Sequence, residues 1–328
     1  MDFLNFLMKP LGQFLYFIYE TVAFKNYGWT IIIFTVIVKM ALLPLTYKQQ
    51  KSSLEMQKIQ PLIQEVNKKY KNDKEKLSAE TMALYKEHNV NPIGSCLPML
   101  FQFPILIALY QVISRPLTFL LSIDNAKVTT ITNIVKEKIP NLGSYQEVGV
   151  IKNITEGIVQ TINTSFPTIG TLIGQLKDGM NFYGLKLYEV PTTDINIIKA
   201  NLGLYIPLFA LIIVATIITF ISSKLSMVSM NKRNNHHKNA NSNKLEIEKN
   251  SKKKVNNKSN NVPEKSSQMA MTSSMMLYLG PIMTLFISFS VPAGVTLYWA
   301  VGYVIMIIQQ LIINKMVFST KEVNKANG

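Results

Sequence analysis

Long apolar runs alternate with polar connections along this chain, and the lengths of those runs set the first expectation. Residues 29–46, WTIIIFTVIVKMALLPLT, are apolar apart from Lys39 and three threonines. With Tyr27 and Tyr47 as interfacial anchors they can cross a hydrocarbon core of about 30 Å. Residues 97–113, LPMLFQFPILIALYQVI, form a second candidate span that 117–123 can extend, and residues 202–221 form a third. The last apolar block, 275–313, would be about 58 Å long as one helix at about 1.5 Å per residue, roughly twice the core thickness. It must fold back on itself, and Ser290, Val291, Pro292, Ala293 and Gly294 supply the turn. The pattern predicts an all-α polytopic membrane protein with spans near 29–46, 97–113, 202–221, 275–289 and 295–313.

Other periodic stretches are too polar to be spans. In residues 1–24, Leu4, Leu7, Leu11, Leu15, Ile18 and Val22 recur at helical spacing with Asp2, Lys9, Gln13 and Glu20 among them. That is the pattern of an N-terminal amphipathic helix lying in the membrane interface. A signal peptide is the competing reading, but the basic start and a small-x-small cleavage site are missing. Between 50 and 90, the series Leu54, Ile59, Leu62, Ile63, Val66, Tyr70 and the series Leu77, Thr81, Leu84, Tyr85, His88 flank the turn KNDK, which predicts a helical hairpin. Residues 114–201 are too long for a plain connection. Ile154, Ile158 and Ile162 give them one amphipathic helical face, while Glu156, Gln160 and Asn163 argue against a further span. Residues 231–266, rich in Asn and Lys, read as a disordered linker, with His236 and His237 solvated within it.

Charge adds an orientation. The formal net charge is +15, and its distribution is uneven. Lys plus Arg against Asp plus Glu stand at 9 to 6 in residues 47–91, 11 to 3 in 222–274 and 3 to 1 after Ile313. The stretch before Trp29 carries 2 to 2, residues 114–201 carry 8 to 7, and the 290–294 turn carries none. The positive-inside bias then makes the hairpin, the linker and the C-terminus cytoplasmic, with the N-terminus and residues 114–201 outside. A composition of 48% hydrophobic and 16% charged residues fits a membrane protein. The single cysteine, Cys96, excludes a disulfide framework and a cysteine-built zinc cage.

Chemistry is scarce in the apolar runs. None contains Asp, Glu or His, so a carboxylate relay, a metalloprotease and a Ser-His hydrolase lack their parts. No phosphate-binding G-x-x-x-x-G-K-[ST] loop is present either. The chain is expected not to be an enzyme and to use no metal or cofactor. What remains is Lys39, about 10 Å of helix rise from the end of its run, where a lysine costs about 2.5–3.5 kcal/mol unless its stem snorkels to water. Thr35 lies one turn before it and Pro44 weakens the backbone ladder beyond it. Thr296, Trp299, Tyr303, Met306 and Gln310 make a polar and aromatic stripe on the fifth span, and Gln102, Tyr110 and Gln111 another on the second. Three such stripes suggest a water-holding cavity, against the plainer alternative of interhelical hydrogen bonds.

On these residues the chain resembles the YidC/Oxa/Alb membrane protein insertases. The resemblance is carried by IIIFTVIVKMALLPLTYKQQKSSLEMQKIQPLIQEV, by ALYKEHNVNPIGSCLPMLFQFPILIALYQVI and by PAGVTLYWAVGYVIMIIQQLI. It covers about two thirds of the chain, leaving out residues 114–201 and 231–266. It implies an insertase membrane domain over 25–328, five helices around a hydrophilic groove open to the cytoplasm and lipid. The family's groove arginine falls on Lys39, its neighbouring polar position on Thr35 and its aromatic pair on Tyr298 and Trp299. A polar site near the end of the third span falls on Ser222 or Ser223, and Gln102 and Tyr303 complete the expected groove. The implied partners are nascent single- and double-spanning membrane proteins and membrane lipids. Contacts with the ribosome through linker, hairpin or tail, and with the Sec translocon, stay open. No lipobox cysteine lies near the start, so no lipid anchor is expected. Two other classes compete: a small-anion transporter using Lys39, and a non-inserting Sec assembly partner.

Overall fold

The computed structural model describes residues 2–90, 97–249 and 278–326, leaving the side chains of several helical residues in these ranges undescribed. The chain divides into two compact units. The first joins Met1–Ala41, Phe101–Phe220 and Gly280–Gln309; the second joins Leu42–Leu100, Ile221–Leu279 and Gln310–Gly328.

The first unit begins with α1 (Asp2–Thr21), which packs against α2 (Tyr27–Ala41) and α6 (Pro116–Phe119). Met8, Leu15, Ile18 and Tyr19 are its buried positions, whereas Phe6, Phe14, Phe17 and Val22 are exposed. The helix is thus apolar on two sides, one against protein and one outward, and Val22 falls on the outward side despite its place in the leucine series. Gly12 permits the contact with α6: a Cβ there would collide with the Phe119 carbonyl oxygen. Around these helices the core gathers Tyr27, Ile31, Phe34, Leu109, Ile113 and Leu117, with Leu109 and Ile113 coming from α5 (Leu97–Ser114).

Residues 114–201 fold far more completely than one amphipathic helix. After α6 come α7 (Asn125–Lys138), α8 (Gln146–Asn153), α9 (Glu156–Ser165) and α10 (Ile169–Gly179). A two-stranded antiparallel hairpin of β1 (Asn181–Phe182) and β2 (Leu185–Lys186) and then α11 (Ile195–Ala200) complete this inserted domain. Asp124 and Asp194 start α7 and α11 by accepting the backbone N–H groups of Ala126 and Asn196, both at 2.9 Å. Tyr183 and Gly184 turn the hairpin with φ of 50° and 86°, the double left-handed geometry that a two-residue connection favours. The expected face through Ile154, Ile158 and Ile162 is buried, joined in the core by Ile131, Ile151 and Ile173.

This domain is fastened to the apolar helices. The Phe182 ring meets Trp29 edge-on at 5.9 Å and lies against Gly28, where a Cβ would collide with it. The carbonyls of Glu189 and Leu187 accept the N–H groups of Ala293 and Gly294 at 2.9 Å. These open α14 (Ala293–Ala326), whose first donors have no partner within the helix. Glu189 is itself buried and its carboxylate pairs with Lys152. The Tyr145 hydroxyl donates to the Ser290 carbonyl at 2.7 Å, tying the domain to the turn between α13 (Tyr278–Ser288) and α14.

In the second unit α3 (Leu43–Lys69) and α4 (Lys74–Glu87) form the expected helical hairpin, closed by Ile59, Ile63 and Val90 with Met56, Leu84 and Tyr85 packed around them. Asp73 caps α4 by accepting from the Lys76 N–H at 3.0 Å. The third expected span opens α12 (Leu202–Lys249), which runs on well past the apolar segment. Residues 231–249, read as disordered linker, are therefore helical. No Gly or Pro interrupts them, and extending an existing helix is far cheaper than nucleating one. Residues 250–266 of that linker lie outside the described residues.

Among the described residues, Leu202–Leu225 and Ala293–Ile313 are long and apolar enough to cross a membrane, and a third span arises if Tyr27–Ala41 and Leu43–Ser52 are taken as one broken span. The break follows from Pro44 in the first turn of α3: a proline there donates no N–H and clashes with a preceding helical turn. Phe103–Ser114 and Tyr278–Ser288 are apolar but shorter.

Gly12→Val should lower the stability by about 1–3 kcal/mol, because the obstacle is backbone and cannot rotate away. Gly157→Ala, with nothing within 4 Å of the added carbon, should be neutral or raise stability by up to about 1 kcal/mol. Thermal unfolding of the two variants in one detergent separates them.

Candidate functional site

Lys39 occupies the last turn of α2, close to the break rather than in mid-helix. A cation is favoured at that end of a helix by about 0.3–1 kcal/mol, which offsets part of what an intramembrane lysine costs. The last carbonyls of α2 have no acceptor role inside the helix. That of Lys39 accepts a hydrogen bond from Gln309 Nε2 of α14 at 3.0 Å, and Gln309 is buried. The lysine stem passes over Gly302, where an added Cβ would stand 3.7 Å from Lys39 Cε. Gly302 and Gln309, two turns apart on one face of α14, together seat Lys39.

The other expected residues are distributed unevenly. Thr35 is fully buried, and its hydroxyl donates to the Ile31 carbonyl of its own helix at 2.6 Å. Tyr298 is buried in the core and Trp299 packs half-buried against it. Tyr303 is half-buried beside Thr284 of α13. Thr296 is buried and its hydroxyl has no hydrogen-bond partner among the described residues. Gln102 lies in α5, its side chain outside the description. Ser222 and Ser223 belong to the second unit, Ser222 buried and Ser223 half-buried. Gln310 also falls in the second unit; its neighbour Gln309 is the residue that reaches Lys39. Sequence reasoning missed Gly302 and Gln309, though their spacing of seven along the buried seam Val295, Tyr298, Gly302, Gln309 was available.

The polar stripe of α5 goes elsewhere. Tyr110 and Gln111 line a cavity of about 450 Å3 shared with the inserted domain, together with Ser114, Arg115, Lys136 and Glu147. Tyr110 and Tyr145 meet with hydroxyls 3.1 Å apart and rings edge-on. Arg115 Nε donates to Glu147 Oε1 at 3.1 Å, and Thr118 gives its hydroxyl to the same oxygen and its N–H to Oε2. The buried carboxylate is thereby satisfied on both oxygens. Among the described residues no three His, Cys, Asp or Glu side chains converge as a metal site.

Two apolar helices of spanning length and a broken pair with a lysine at the break define a helical membrane protein. Residues 17–321 match the sequence model of the family described as the 60 kDa inner membrane protein, and the chain belongs to that family, of the bacterial cell membrane. Proteins named membrane protein insertase YidC are similar to it. That of Fusobacterium nucleatum is 48% identical over 112 residues, 34% of this chain and 55% of the relative. That of Clostridium tetani is 55% identical over 90 residues, 27% of this chain and 41% of the relative. That of Geobacter metallireducens is 51% identical over 105 residues, 32% of this chain and 19% of the relative. The matched stretch spans about half of the first relative's length and less of the other two.

Gln309→Leu should cost roughly 1 kcal/mol of stability by removing the donor to the Lys39 carbonyl. Gln309→Glu, which cannot donate when ionised, should cost at least as much. Melting temperatures in matched micelles check both.

Proposed function

We propose that this chain is a membrane protein insertase that works without covalent chemistry. The observation that carries the reading is the seating of Lys39: a half-buried ammonium at a helix break, held against Gly302 and Gln309 of an apolar helix in a chain of this family. Five spans enclose a groove open to the cytoplasm and lipid, with the N-terminus and the inserted domain outside and the C-terminus in the cytoplasm. An incoming protein lends its short polar, often acidic, outer segment to the groove beside Lys39, which lowers the cost of carrying that segment through the bilayer. Thr35, one turn before Lys39 on α2, is its polar neighbour in this groove. The client's apolar segment slides past Tyr298, Trp299 and Tyr303 and leaves sideways into lipid. The short α13 favours a locally thinned bilayer. Partition of the apolar segment into lipid drives the step, alone or beside the Sec translocon, and the ribosome can meet the hairpin, α12 or the tail.

The test is insertion of a small single-span protein into liposomes that contain only this chain, read as protease protection of its outer tail. Lys39→Ala should slow insertion of an acidic-tailed client by roughly five- to tenfold, the equivalent of about 1–1.4 kcal/mol of charge stabilisation, and leave a neutral-tailed client little changed. Lys39→Arg should keep most of the rate, since charge rather than a planar donor fork is required. Equal losses for both clients on Lys39→Ala would remove the electrostatic part of the mechanism.

A further inference from the structure

The cavity between α5 and the inserted domain is built as a binding site. Its volume of about 450 Å3 falls within the usual range of ligand pockets, roughly 300–1,000 Å3. Ser114 on its wall is only 5% exposed, yet its hydroxyl has no hydrogen-bond partner among the described residues. A buried hydroxyl in that state is the exception in folded proteins, and Ser114 belongs to the lining of the cavity. Charge points the same way. Glu147 is engaged by Arg115 and Thr118, whereas Lys136 is exposed and enters no ion pair among the described residues. Arg115 and Lys136 against Glu147 leave one net positive charge on the lining. Gln111 and Asn133 each add an amide with both a donor and an acceptor, the complement of a peptide backbone, and the Tyr110 and Tyr145 rings meet edge-on beside them.

We propose that this pocket binds a short carboxylate-bearing peptide segment, with Lys136 facing the carboxylate and Ser114 donating from within. The segment is the acidic tail that the insertase reading sends to this side of the membrane, and the proposal rests on that reading. Tyr110, Gln111 and Ser114 of α5 thus face a receiving pocket, so a tail released from Lys39 is held on the far side instead of sliding back.

The full chain in detergent micelles is titrated against a dye-labelled, acetylated hexapeptide with two aspartates and against its counterpart with two asparagines, read by fluorescence polarisation at low salt. The aspartate peptide should bind at least about fivefold more tightly. Lys136→Glu should weaken it by about tenfold and Ser114→Ala by about threefold. Equal affinity for the two peptides, or no change on Lys136→Glu, overturns the proposal. A loss on Lys39→Ala as large as that on Lys136→Glu places the peptide at the groove and also overturns it. Displacement by millimolar inorganic phosphate as effective as by unlabelled peptide reduces the pocket to a general anion site and overturns the peptide assignment. Binding in micelles requires no insertion. A chain that inserts an acidic-tailed client but binds no peptide loses the pocket alone, and one that binds peptide but inserts nothing loses the insertase reading.

Discussion

A helix that ends among apolar groups leaves backbone donors or acceptors that water cannot reach, each costing several kcal/mol in a hydrocarbon setting. Two such ends organise the first unit. At the end of α2 the Lys39 carbonyl takes the Gln309 amide. At the start of α14 the N–H groups of Ala293 and Gly294 take the carbonyls of Glu189 and Leu187. Both ends are completed by long-range partners, so neither helix is whole without the rest of the unit. The break that exposes the first end places a lysine where a helix favours a cation.

The second end explains why the inserted domain is integral to its unit. Glu189 is held at both extremities, its carbonyl by Ala293 and its carboxylate by Lys152. Tyr145 holds the preceding turn through Ser290. Gly12 and Gly28 let Phe119 and Phe182 approach α1 and α2 more closely than any side chain would allow. Contacts of this kind cost little sequence: two glycines, one buried acid and one tyrosine fasten some ninety residues to the apolar helices.

What could be read from the residues follows from which signals are local. Among the described residues, run length and period pointed to the apolar stretches of α2, α5, α12, α13 and α14, and the KNDK turn between two amphipathic series pointed to the hairpin of α3 and α4, because those features depend on neighbours in sequence. Pro44 signalled the break after α2, but only the fold shows that the ladder stops there and leaves Lys39 in the last turn. The stripe read on α14 included Gln310, and the fold adds its neighbour Gln309, which lies on the buried seam through Gly302 and reaches the Lys39 carbonyl. Tyr110 and Gln111 were polar positions on an apolar helix, and sequence could not say that they face a domain instead of a groove. The compactness of residues 114–201 was hidden because its core is built from short helices whose partners lie tens of residues apart.

The end of α2 carries a lysine and not an arginine. A guanidinium spreads its charge over a rigid fork and needs acceptors arranged in its plane, whereas an ammonium is a point charge on a flexible stem. Gly302 offers that stem a smooth floor, with no side chain of its own to compete. Gln309 of α14 donates to the lysine's backbone carbonyl, so the end of α2 is held by a main-chain contact. A main-chain anchor of this kind holds the end of α2 whatever side chain stands at position 39, so Lys39→Ala removes the charge and leaves in place the carbonyl that Gln309 binds.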